Sequence, residues 1–312
     1  MHLTVRAKKT AAGHAGTQPV KRLWLQVRRY TLSVFLWIIA LAFLFPVVMT
    51  FTNSLMDEAE IANNYSQIRS LSNTTAALAP DFVTIKLIPD LVSLDQYYTV
   101  LVGSTSFLMM FWNSVRLTLP IILGQMLVGS MAAYAFAMLR FRGRNPLFFL
   151  YIITMLMPFQ VTLVPNYLMA DTLGLMGKNS SIVLPGIFAT FGVFLLRQFM
   201  SYIPKENLEA ARLDGAGHPT IFLRIILPLC APALASLAIL SCIDSWNMVE
   251  QPLIFLKDAN LQPLSLFLSK LTSGAFGVAF AASALFMAPI LFIFLYGENY
   301  LVEGIQMSSL KE

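Results

Sequence analysis

The chain has 312 residues, of which 57% are hydrophobic and only 12% charged, with a formal net charge of +5. Soluble domains carry roughly a quarter charged residues, so the composition excludes an ordinary soluble fold and indicates an integral membrane protein. The positive balance does not indicate nucleic acid, because the basic residues sit beside apolar runs and form no stripe on a polar domain.

Residues 1–19 are polar and small, with no apolar periodicity to offset ordering entropy, and read as a disordered tail. Lys21, Arg22, Arg28 and Arg29 then precede an apolar run over 30–51. The run exceeds a signal-peptide core, so it is expected to be a retained first span with its basic end in the cytoplasm. The following stretch, 52–106, stays polar and acidic through Asp57, Glu58, Glu60, Asp81, Asp90 and Asp95. Near its end Leu94, Tyr97, Tyr98, Leu101 and Val102 recur at helical spacing, which predicts an amphipathic helix on the outer surface. A contact for an external partner and a plain surface cap both fit that helix. The patterns starting at Asn73 and Asn179 match a glycosylation signal but are too short to carry weight.

A second span is predicted over 107–139, ended by the basic stop Arg140, Arg142 and Arg144. A third follows over 147–167, a fourth over 182–199, a fifth over 222–243 and a sixth over 275–296. The expected fold is therefore all-α, with six transmembrane helices and both termini cytoplasmic. Most of the 21 basic residues then fall on the cytoplasmic side, as the positive-inside rule requires. Four regions result: a cytoplasmic tail (1–28), a first helix with a large extracytoplasmic loop (29–106), a core (107–297) and a cytoplasmic C-terminal tail (298–312). Pro120, Pro158, Pro165, Pro185, Pro228, Pro232 and Pro289 interrupt the spans; packing kinks explain each singly, and together they suit a moving pathway. Cys230 and Cys242 lie too far apart on one helix for a disulfide. No internal repeat supports an inverted-repeat carrier.

Between the fourth and fifth spans lies a polar island, 204–228, reading PKENLEAARLDGAGHPTIFLRIILP. Pro204 suits the first turn of a helix, Glu206 and Glu209 suit its electropositive end, and Gly215 suits a left-handed cap. Ala210 and Ala211 remove bulk and allow a close approach. The island resembles the signature loop of the membrane subunits of ATP-driven, binding-protein-dependent (ABC) importers. The match runs through Glu209-Ala210-Ala211, Gly215, Ile225 and Leu227-Pro228, and the flanking Ile203–Glu206 and Leu213–Ala216 look most like the carbohydrate, maltose-permease-like branch. The resemblance implies a type I ABC importer permease fold with a coupling loop over 203–228. In that loop Glu209 contacts the ATPase, Ala210 and Ala211 permit the fit, and Asp214 and Gly215 form the turn. It further implies a second homologous permease subunit, two ATPase subunits that bind ATP and Mg, an extracytoplasmic solute-binding protein, a sugar substrate, and the bacterial or archaeal plasma (inner) membrane.

Ionisable and amide residues near the spans are the pointers to a substrate path, because lipid exposure is expensive for them. Asn113, Gln160, Asn166, Asp244, Trp246, Asn247 and Glu250 are the candidates; Arg116 and Gln125 also lie near the second span. Ser245-Trp246-Asn247 followed by Pro252–Phe255 resembles the segment after the fifth helix of sugar permeases, although Met248 stands where the acid is commonest and the acid comes at Glu250. For Trp246 an interfacial belt position fits equally well. By resemblance, 257–276 is the outer loop that enters the binding protein, for which an ordinary connector also fits, and 298–312 is a tail reaching the ATPases. The chain has no nucleotide site of its own: Thr172 and Asn179 break the phosphate-loop pattern around Gly177-Lys178. His2, His14 and His218 are scattered, so no metal or catalytic cluster is expected. An importer for another solute (polyamine, phosphate or peptide) and an ion-coupled carrier are the alternative readings.

Overall fold

The computed structural model describes residues 18–71, 86–270 and 276–309. The expected tail before Gln18, the Asn73 pattern with Asp81, the loop positions 271–275 and the last three residues lie outside the described residues. The described residues are almost entirely helical; the one bridge between extended residues joins Met56 to Val92.

The first helix, α1 (Gln18–Ser54), starts ahead of the apolar run and runs through position 28. Basic residues fit a helix at this boundary because their long stems cover apolar surface while the charge stays in water; the Arg28 guanidinium lies 5.7 Å from the Trp24 ring. Next come α2 (Glu58–Leu71) and α3 (Asp95–Tyr98), which continues as a π-turn over Thr99–Gly103. The expected amphipathic helix is present with a different face inward. Gln96 and Val100 are buried and Tyr97 and Leu101 half-buried, whereas Leu94, Tyr98 and Val102 are exposed. Two adjacent i, i+4 pairs thus make the inner stripe, and the Tyr97 hydroxyl, 2.7 Å from Ser54 Oγ, fixes that side against the end of α1.

Then follow α4 (Thr105–Met138), α5 (Arg144–Met155), α6 (Phe159–Thr172), α7 (Ser180–Ile187) and α8 (Thr190–Met200). The polar island forms α9 (Lys205–Leu213) and α10 (His218–Ile221), which leads through a π-turn (Phe222–Ile226) into α11 (Leu227–Leu229) and α12 (Ala231–Trp246). The chain closes with α13 (Glu250–Phe255), a 3-10 turn (Ala259–Leu261), α14 (Leu264–Lys270) and α15 (Phe276–Ser309).

Four stretches are long and apolar enough to cross a membrane: Gln26–Ser54, Thr105–Met138, Ser180–Met200 and Phe276–Val302. Two bent pairs, α5 with α6 and α10–α11 with α12, raise the number to six if each pair is one span. The third and fifth runs, expected as single helices, are thus broken, at 103° and 73° respectively. A proline lies at each break. Pro158 has extended backbone and pushes the residue before it away from helical geometry. Pro232 lacks the N–H that would bond four residues back, next to the break at Cys230. The sixth helix, α15, runs on to Ser309, so most of the expected C-terminal tail is a helical extension.

Helix α4 is the central post, packed against α7, α8 and α12, while α15 packs on α12 and α1. Small residues permit the close approach: a side-chain carbon at Gly186 would lie 3.0 Å from Ile121, and one at Gly192 would lie 3.1 Å from Gln125 and 3.2 Å from Leu237. Several buried polar groups find partners inside the bundle, although Thr118 Oγ1 on α4 has none. Ser241 Oγ hydrogen-bonds Oε1 of Gln125, and Ser236 Oγ donates to the carbonyls of Pro232 (2.9 Å) and Tyr300 (2.8 Å). Both cysteines are free and buried.

Candidate functional site

At the end of the molecule that carries Arg140 and Arg144, α9 projects from the bundle on a buried root. Pro204 occupies the position before the first helical residue, one place earlier than expected. Leu208 is 6% exposed and joins a core cluster with Tyr134, Leu196, Met200, Ile221, Ile226 and Leu237. Ala211 and Ala216 pack partly against the same cluster. Glu206, Glu209, Ala210, Arg212, Asp214 and Gly215 face outward. The two alanines therefore divide, Ala210 outward and Ala211 inward, because adjacent helical residues lie about 100° apart.

The end of α9 is closed by backbone geometry. Gly215 has φ +81°, its N–H donates to Arg212 O at 3.0 Å, and the Ala216 N–H reaches back to Ala211 O at 2.9 Å. This pair of bonds defines a Schellman cap, and the Ala211–Ala216 side supplies its apolar contact. Two features were not singled out in the sequence. Leu213 is 89% exposed at the tip, and the Tyr134 hydroxyl meets His218 Nδ1 at 3.0 Å. Leu213 entered the resemblance only as part of the flank Leu213–Ala216, with nothing local to mark it as exposed, and a bond between positions 134 and 218 has no local signature.

Among the polar residues proposed from sequence, one pair is joined. Gln160 Nε2 donates to Glu250 Oε2 at 3.5 Å, joining α6 to α13. Asp244 and Asn247 are exposed on one side of the end of α12, and Glu250, also exposed, opens α13. Asn166 is half-buried and sits six positions from Gln160, about 120° round the helix, so the two do not converge.

Asn113 and Trp246 are held inside the protein. The Asn113 amide donates to Asn260 O (2.6 Å) and Gln262 O (3.1 Å). The Trp246 ring is 4% exposed, 5.5 Å from Phe111 and 6.1 Å from Phe286, and its Nε1–H donates to Phe286 O at 3.1 Å. Asn113 also helps to anchor the segment after α13, with Ser114 Oγ accepting Leu264 N–H at 2.8 Å. Within the expected outer loop, the stretch from Pro263 to Leu266 is consequently buried, with Leu264 packed among α4 residues.

Among the described residues, no group of three or more His, Cys, Asp or Glu side chains is placed to hold a metal ion. A bundle of membrane-length and proline-broken helices, with a capped polar helix projecting at one end, is the architecture of a multi-pass membrane protein. Over residues 125–305 the chain matches the model of the binding-protein-dependent transport system inner membrane component, and it belongs to that family. It is 31% identical over 232 residues to the arabinooligosaccharides transport system permease protein AraQ of Halalkalibacterium halodurans, covering 73% of this chain and 83% of the relative. Its identity to the protein of the same name from Bacillus subtilis is 29% over 288 residues, 91% and 96% of the two chains. In fold it is similar to a chain from the crystal structure of a bacterial ABC transporter involved in the import of the acidic polysaccharide alginate, with a TM-score of 0.72 at 23% identity over 88% of this chain and 96% of that one.

Proposed function

We propose that the chain is one of two permease subunits of an ATP-driven importer that takes up a sugar or oligosaccharide from an extracytoplasmic solute-binding protein. Family membership and relatives whose names specify arabinooligosaccharides support this reading. In it, each bent pair is one span, which gives six spans, both termini are cytoplasmic, and the membrane is the bacterial plasma (inner) membrane. ATP and Mg bind to two partner ATPases, and this chain supplies no catalytic group.

The observation that carries the proposal is α9, whose exposed face (Glu209, Ala210, Leu213) sits on a root, Leu208, fixed in the core. Such a helix transmits force as a rigid body. When the ATPases close, they push on Glu209 and Leu213. The buried Leu208 passes the displacement to α8 and α12, and the Tyr134–His218 bond passes it to α4. The bundle then exchanges between inward- and outward-open arrangements by population shift.

At the other end of α12 the exposed Asp244, Asn247, Glu250 and Gln160 offer acceptors and donors to sugar hydroxyls, since polar groups at membrane depth belong in a water-filled path. Asn113 and Trp246 hold its walls. Affinity purification of the tagged chain from native membranes, with identification of stoichiometric partners, tests the proposal. Co-purification of an ATPase and a second permease is expected. Repeated recovery of the chain alone, transport-competent without an ATPase, would overturn it.

A further inference from the structure

Between the basic end of α4 and the root of α9 lies an open cavity of about 1150 Å³, lined by four arginines, Arg140, Arg144, Arg197 and Arg212, against one carboxylate, Glu209. Among the described residues no carboxylate approaches any of the four guanidinium groups within ion-pair distance; the ion pairs among those residues lie elsewhere, between Lys86 and both Glu60 and Asp90. Arg197 is fixed, with its guanidinium carbon 4.1 Å from the centroid of the Phe148 ring. Its Nε is shielded from solvent and lacks a hydrogen-bond partner. A desolvated donor without an acceptor is costly. Arg144 donates to Leu139 O (3.2 Å) and Asn145 Oδ1 (3.5 Å), and the guanidinium forks that line the cavity together suit the oxygens of a phosphate group.

We propose that this cavity binds the phosphate headgroup of an anionic phospholipid. This rests on the reading of α4 and α8 as spans, because their ends at Met138 and Met200 then set the cavity at headgroup level. Beside it, α5 presents Leu147 (50% exposed) and Leu150 (60% exposed), a surface for acyl chains that a free phosphate would not use. With the headgroup in place, the guanidinium of Arg197 gains a counter-charge, and the charge that α9 faces is neutralised on the same side as Glu209.

The test uses the purified complex, stripped of lipid in detergent and titrated by native mass spectrometry with phosphatidylglycerol, phosphatidylcholine or inorganic phosphate. Phosphatidylglycerol is expected to be retained about tenfold better than phosphatidylcholine, and the Arg144→Gln/Arg197→Gln pair to lose about tenfold of that retention, while Arg144→Lys/Arg197→Lys keeps most of it. Equal retention of the two lipids, or no loss in the Gln pair, overturns the proposal. Displacement of phosphatidylglycerol by inorganic phosphate alone assigns the cavity to a free anion and overturns the lipid assignment. If the Gln pair does not assemble, the wild-type comparison of the two lipids decides. Retention by preparations that lack an ATPase separates this proposal from the importer reading.

Discussion

The hydroxyl of Tyr134 lies 3.0 Å from Nδ1 of His218, joining the last turns of α4 to the segment just past Gly215. The Tyr134 ring also packs on Phe222 at 5.2 Å, so Tyr134→Phe removes the hydrogen bond and keeps the ring. The expected loss is about 1 kcal/mol, roughly a fivefold change in the equilibrium it biases. The variant should assemble fully while uptake per ATP hydrolysed falls by several fold in proteoliposomes. An unchanged ratio would remove this bond from the transmission path.

Leu208 and Leu213 stand five residues apart on α9 and are expected to fail in opposite ways. Leu208→Ala empties a core site and should cost about 2–5 kcal/mol, read as a lower unfolding temperature of the purified chain. Leu213→Ala, at an exposed position, should change stability by less than about 0.5 kcal/mol. Co-purification of the ATPase is nevertheless expected to drop for Leu213→Ala. Normal ATPase recovery with this variant would mean that the apolar tip is not a docking contact.

The backbone role of Gly215 and the apolar spans were legible in the sequence because each rests on a local rule, a left-handed cap in one case and a run of apolar residues in the other. The bends at Pro158 and Cys230 were less legible. A proline marks a place where a helix is weakened, but neighbouring helices decide between a kink and a break. The sequence could not reveal that Trp246 and Asn113 are engaged internally, since their partners, Phe286 and Asn260, are brought to them by the packing of α12 on α15 and of α4 on the 3-10 turn Ala259–Leu261. Residues such as Gln160 and Glu250 were found for a general reason, the cost of polarity in an apolar setting; their pairing across ninety positions needed the fold.

That pairing yields a further expectation. Glu250→Gln keeps the hydrogen bond to Gln160 and removes the charge, whereas Gln160→Ala removes the bond and leaves the charge. If the pair meets sugar hydroxyls, Glu250→Gln should lower uptake about tenfold, the worth of roughly one charged hydrogen bond. ATPase activity stimulated by the binding protein should change little. A loss of basal assembly in Gln160→Ala with normal uptake by Glu250→Gln would make the pair a structural link only.

Gly192 tests the packing of the bundle. A side-chain carbon there would meet Gln125 and Leu237 inside 3.4 Å, and Gln125 is itself engaged by Ser241. Gly192→Leu should therefore force α8 away from α4 and cost about 1–3 kcal/mol or more. A lower unfolding temperature and reduced membrane yield are expected. Wild-type stability in this variant would show that the α4–α8 contact is looser than its geometry implies.

Gly215 separates backbone strain from charge. Its φ of +81° is unfavourable for other residues, yet a side-chain carbon there meets nothing within 4 Å, so any substitution is penalised by conformation and not by collision. Alanine should cost about 1–2 kcal/mol, while asparagine and aspartate, which visit the left-handed region more readily, should cost less. Asparagine and aspartate differ mainly in charge. If α9 must present a defined acidic pattern to the ATPase, Gly215→Asp should hydrolyse ATP without importing, and Gly215→Asn should import at close to the normal rate. If the cap geometry is what matters, uptake should instead be lowest in Gly215→Ala and similar in the other two. Uptake and ATP hydrolysis measured side by side in the three variants distinguish these outcomes, and normal coupling in all three would remove the turn from the mechanism.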